Sequence, residues 1–130
     1  MADFFIITNN EMVRDKYAGE VQVEFHAVHY TEIMRMARDY IHAGHKLLTH
    51  PLAGSVKPNE TPYKSLIVSL SPHGFDAVNA ELIANAIGVC DKFKPLDRTY
   101  SESVLRDFQL IDYSLLAGAI GFDAQAGLSK

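Results

Sequence analysis

Two unbroken apolar runs, Phe4-Phe5-Ile6-Ile7 and Leu66-Ile67-Val68, constrain this 130-residue chain most. Both are short, and neither alternates with polar residues. Each therefore reads as a strand covered on both faces. Thr8 and the pair Asn9-Asn10 close the first run. Asn9 or Asn10 caps a short helix with Glu11 in its first turn and Met12, Val13 and Tyr17 inward, stopped at Gly19. Val21-Gln22-Val23-Glu24-Phe25 alternates, as a half-buried strand near a sheet edge does. Thr31 caps a helix with Ile33, Ala37, Tyr40 and Ile41 on one stripe, and Gly44 takes the left-handed position after it.

Lys46 to Thr49 reads as a short third strand, and Lys64 to Leu70 as a fourth in a central position. Ser71-Pro72 opens a helix with Phe75, Val78, Leu82, Ile83, Ala86 and Ile87 along its stripe. Thr99-Tyr100-Ser101-Glu102 fits a capping box for a last helix, with Val104, Phe108, Ile111 and Leu115 inward, widened by Leu105 and Leu116. Gly121 to Lys130 reads as a loose tail.

Strands alternating with helices predict one α/β domain over residues 1–130, a three-layer sandwich around a small, mostly parallel sheet of about four strands. One stretch resists that pattern. The dozen or so residues between the third and fourth strands have no helical period, are short for a crossover helix and long for a tight hairpin. Antiparallel pairing of those two strands, and hence a mixed sheet, stays open.

Composition narrows the class. At 48% apolar and 22% charged residues the chain is too apolar for disorder. No apolar run approaches the ~20 residues of a membrane span. The start, MADFFIITNN, lacks the basic and apolar regions of a signal peptide, and the single Cys90 can form no internal disulfide, so a cytoplasmic location is expected. A net charge of -4 argues against nucleic acid. That charge is unevenly spread: residues 1–41 and 66–130 carry -3 each, whereas 42–65 carries +2.

The cationic stretch contains the most unusual segment, Thr49-His-Pro-Leu-Ala-Gly-Ser-Val-Lys-Pro-Asn-Glu-Thr-Pro-Tyr-Lys-Ser65. Pro51, Pro58 and Pro62 each fix their own φ and push His50, Lys57 and Thr61 toward extended geometry. Gly54 permits a left-handed turn, and Pro58-Asn59 suits the centre of one. A stiff, polar loop beside strand ends is where α/β proteins place function. This segment, preceded by Leu47-Leu48, resembles the central motif of the GrdX family, and the Ile7-Thr8-Asn9-Asn10 start is also similar to that family. The resemblance covers residues 4–70 well. It implies a setting beside glycine, sarcosine or betaine reduction and its acetyl phosphate product, and it carries over no catalytic residues.

Three chemistries suit these residues. In anion binding, Lys57 and Lys64 supply charge, while Ser55, Thr61, Asn59 and the amides near Gly54 supply hydrogen bonds. Thr8, Asn9 and Asn10 add a helix start. The bland alternative is a solvated loop with ordinary lysines. In acid–base catalysis, His50 and Glu60 act as base and orienting partner, with Ser55 as nucleophile. In metal binding, the pairs His26/His29 and His42/His45 would serve, but their spacing fits structural roles better, so neither a metal nor a cofactor is expected. Cys90 reads as a small core residue.

The expected function is an accessory or regulatory protein of the glycine reductase system that binds a small anionic metabolite, phosphate- or carboxylate-bearing. The rivals are an enzyme acting on such a compound through His50 and Glu60, and a protein-binding subunit that contacts reductase components. Neither nucleic acid nor membrane is an expected partner, and a homo-oligomer stays open.

Overall fold

Strand β1 (Phe4–Thr8) lies at the centre of a three-stranded sheet, between β2 (Gln22–Phe25) and β3 (Ser65–Ser69). The computed structural model describes residues 3–51, 61–92 and 100–128, with side chains as far as residue 120. β1 pairs parallel with β2, Ile6 opposite Val23, and antiparallel with β3, Ile6 opposite Ile67. The sheet is thus mixed. Four helices complete the described chain: α1 (Glu11–Tyr17), α2 (Tyr30–His42), α3 (Ala77–Lys92) and α4 (Glu102–Leu128).

The apolar runs behave as their composition demands. Successive strand side chains point to opposite faces, so Phe5, Ile7, Leu66 and Val68 meet α2 and α3, while Ile6 and Ile67 meet Val13 of α1 and Leu116 of α4. All six strand residues are buried. Gly19 and Gly44 follow α1 and α2 with φ of 84° and 103°, the conformation that ends a helix most easily at glycine.

Several expectations need correction. The sheet has three strands among the described residues, not about four. The Lys46–Thr49 strand is reduced to a single antiparallel bridge, Leu47 to Val68. Its pairing is nevertheless the antiparallel one left open above, with Leu48 N donating to Ile67 O at 2.9 Å and Ser69 N to Lys46 O at 2.8 Å. β1, not β3, is central. β3 is buried at every position because helices cover both its faces.

The α2 cap is His29, whose Nδ1 accepts from Thr31 N at 3.2 Å, so Thr31 lies within the first turn. The α3 cap is Asp76, whose Oδ1 accepts from Val78 and Asn79 N, and not Ser71. Phe75 and Val78 consequently fall outside the buried stripe, which runs through Ile83, Ala86, Ile87 and Cys90. Ser101 stands at the start of α4, accepting from Val104 N at 3.4 Å, while Thr99 lies outside the described residues. The backbone of α4 continues through Leu128, where a loose tail was expected. Among the described residues no helix is long and apolar enough to cross a membrane.

Candidate functional site

The polar site grows out of the register of β1 against β3. Thr8 pairs directly with Ser65. Both residues lie two positions from the buried Ile6 and Ile67, on the face toward α4. Their hydroxyls are 2.7 Å apart. Ser65 Oγ donates to Asp112 Oδ2 of α4 at 2.6 Å, so the Thr8 hydroxyl donates to Ser65, and Thr8 Oγ1 accepts from Asn10 N at 2.9 Å. This chain of hydrogen bonds runs in one direction and ends on Asp112.

Asn10 reinforces it from a second side. Its Oδ1 caps α1 by accepting from Met12 N at 3.0 Å, as expected. Its Nδ2 donates to Gln109 O and to Asp112 Oδ2, both at 3.0 Å. Asn9 performs a different task. Its Nδ2 donates to Val28 O at 2.9 Å and Pro62 O at 2.8 Å, and its Oδ1 accepts from Lys64 N at 2.8 Å. Its amide therefore fixes the backbone of Lys64 relative to the entry into α2.

Lys64 is 7% exposed. Its ammonium lies 5.5 Å from the centre of the Tyr30 ring, a cation–π distance. Among the described residues no carboxylate lies within 4.0 Å of Nζ, and no hydrogen-bond acceptor is in reach. Burial lowers the Lys64 pKa, opposed by the negative charge of Asp112. Burial raises the Asp112 pKa, opposed by its hydrogen bonds from Ser65 and Asn10 and by the Lys64 charge.

Two cavities meet at this pair. The larger, of about 230 Å³, is lined by Leu48, Thr49, His50, Lys64, Ser65, Asp112, Leu115, Leu116 and Ala119. The smaller, of about 30 Å³, is lined by Tyr30, Thr61, Tyr63, Lys64, Ile111, Asp112 and Leu115. Lys64, Asp112 and Leu115 wall both. The arrangement offers a buried cation and a half-buried acid to one small space with apolar sides.

The residues expected from sequence divide clearly. Lys64 and Thr61 line the cavities. Thr61 Oγ1 also accepts from Tyr63 N at 3.3 Å. Thr8, Asn9 and Asn10 are buried supports around the pair. His50 is an exposed wall of the larger cavity. Gly54, Ser55, Lys57, Asn59 and Glu60 lie outside the described residues, and so does the turn at Pro58.

Asp112, Ser65 and Tyr30 escaped the sequence reading. The signal for Asp112 was present: it is the one charged residue between Phe108 and Phe122. An acid alone in an apolar helical stretch is either exposed or held by polar groups from elsewhere.

The histidines have local partners. His26 pairs with Glu24 at 3.2 Å, His29 caps α2, His42 packs edge-on against Phe75, and His45 Nδ1 bonds Ser69 O at 2.8 Å. Among the described residues no group of three or more His, Cys, Asp and Glu side chains could hold a metal ion. Cys90 is buried in the core, 3.8 Å from the Met34 sulfur.

No curated protein and no solved structure matches this chain. A family model described as GrdX-like protein matches residues 5–121. That span takes in the Thr8–Ser65–Asp112 chain and the residues lining both cavities, and the chain belongs to the GrdX-like protein family.

Proposed function

We propose that this protein is an accessory or regulatory component of the glycine reductase system that binds a small anionic metabolite, phosphate- or carboxylate-bearing, in the cleft walled by Lys64. Membership of the GrdX-like family supports the setting. The observation that carries the binding reading is Lys64: a buried ammonium with no acceptor in reach among the described residues, lining both cavities. A buried charge is costly unless paired. An anion in the cleft would supply the missing partner and raise the lysine pKa back toward its ordinary value.

A thermal-unfolding screen tests this reading, with phosphate, acetyl phosphate, acetate, glycine, sarcosine and betaine on the wild type and on Lys64→Met. A ligand at 100 times its Kd adds about 2.7 kcal/mol to the folded state. The expected result is stabilisation of the wild type by at least one of these compounds, lost in Lys64→Met. No shift with any of them in the wild type would overturn the reading.

A further inference from the structure

The two charges at the cleft are separated, and that separation says more about the ligand than its being anionic. Lys64 and Asp112 wall the same two cavities, yet no ion pair within 4.0 Å joins them among the described residues. Had they closed on each other, each would have satisfied its partner. Instead, among the described residues, Lys64 Nζ has the Tyr30 ring. Asp112 is held by neutral donors alone, the Asn10 amide and the Ser65 hydroxyl on Oδ2 and the Ser65 backbone amide, and among the described residues no cation lies within 4.0 Å of it.

A purely anionic ligand at Lys64 would bring a second negative charge up to Asp112, and like charges in a partly desolvated site repel. A purely cationic ligand would meet the same difficulty at Lys64. A molecule with both charges satisfies both walls. Burial raises the cost of leaving either charge without a counter-charge, which sharpens the selection. Size agrees. About 230 Å³ is several times the ~30 Å³ that a water molecule occupies and falls below the roughly 300 Å³ at which drug-sized pockets begin.

We infer that the cleft selects a small zwitterion, carrying one carboxylate and one ammonium a few atoms apart, with the carboxylate at Lys64 and the ammonium at Asp112. The inference rests on the binding reading above and narrows its ligand from an anion to an amino acid.

Calorimetric titration of the whole chain at pH 7 with two matched sets tests it: glycine, acetate and methylamine, and β-alanine, propionate and ethylamine. In at least one set the zwitterion should bind about tenfold more tightly than either singly charged analogue, the step expected from one charge-assisted contact. Asp112→Asn should erase the preference by weakening the zwitterion and tightening the carboxylate, and Lys64→Met should abolish both. If acetate or propionate binds the wild type as well as its amino counterpart, the zwitterion inference falls while the anion reading stands. If no member of either set binds, the inference falls too, and phosphate and acetyl phosphate then decide whether the anion reading survives.

Discussion

At the scale of single residues, Lys64 is held in place at a cost to stability, and that cost is measurable. Its pKa is lowered from 10.5 by burial, so between the folded value and 10.5 the unfolded chain binds more protons than the native one. Stability contributed by this group therefore rises with pH across that window. Urea denaturation should show this rise for the wild type, and Lys64→Met should remove it while adding about 1–2 kcal/mol at pH 7, as replacement of a buried charge by an apolar chain of similar length does. Asp112 works with the opposite sign. Its pKa is raised from 3.8, the native state holds the proton longer, and stability from this group falls as pH climbs through that window. Asp112→Asn should flatten that acid-side slope. Asn10 links the cap of α1 to Asp112, so Asn10→Ala should lower unfolding free energy by about 2 kcal/mol, more than the ~1 kcal/mol typical of a cap alone. Lys64, Thr8, Asn9 and Asn10 were singled out together in the sequence, and the fold brings them close to one another. The acid that completes it was not, because Asp112 lies 102 residues from Asn10 and only the docking of α4 brings them together.

Among the elements, β1, β2, α1 and, apart from its cap, α2 matched their sequence signals because those signals are local: an apolar run, an alternation, a capping amide, a glycine after the last turn. Errors arose where two neighbouring signals competed. Ser71-Pro72 has the chemistry of a helix start, yet Asp76 caps α3 five residues on from Ser71, leaving Phe75 before the helix and exposed. In α4 three residues of the expected inward stripe, Val104, Ile111 and Leu115, are between 37% and 45% exposed, whereas Leu116, which was expected to widen that face, is buried, and Asp112 turns toward the sheet. A helix that must deliver one carboxylate to a polar end of the sheet rotates away from its most apolar face. Two substitutions check the turns that set these elements. Gly44→Ala places a Cβ 3.3 Å from Pro72 Cβ at a φ of 103°, and should cost about 2 kcal/mol in chemical denaturation. Asp76→Ala should cost about 1 kcal/mol through loss of the two amide contacts that start α3.

For the whole molecule, the α/β class followed from strand signals alternating with helical ones, whereas the sheet read as mostly parallel and its mixed character stayed open until β1 was placed between a parallel and an antiparallel neighbour. Strand order was not legible, because neighbour choice depends on which edges the helices cover. The Ile6–Ile67 pair joins β1 to β3 beneath α1 and α4, so Ile67→Ala should lower unfolding free energy by about 2–5 kcal/mol, read by the denaturation midpoint at an unchanged slope. The central position of β1 also has a kinetic meaning. Its parallel partner follows within some twenty residues, across α1, whereas its antiparallel partner begins at Ser65. Closing the longer loop is entropically harder. A chain emerging from the ribosome can form the β1–α1–β2 unit early and must then wait, with the other edge of β1 and its Phe5 and Ile7 unprotected, until β3 arrives. That interval is when the nascent chain is most exposed to wrong pairing with a neighbour, and when a chaperone would find it.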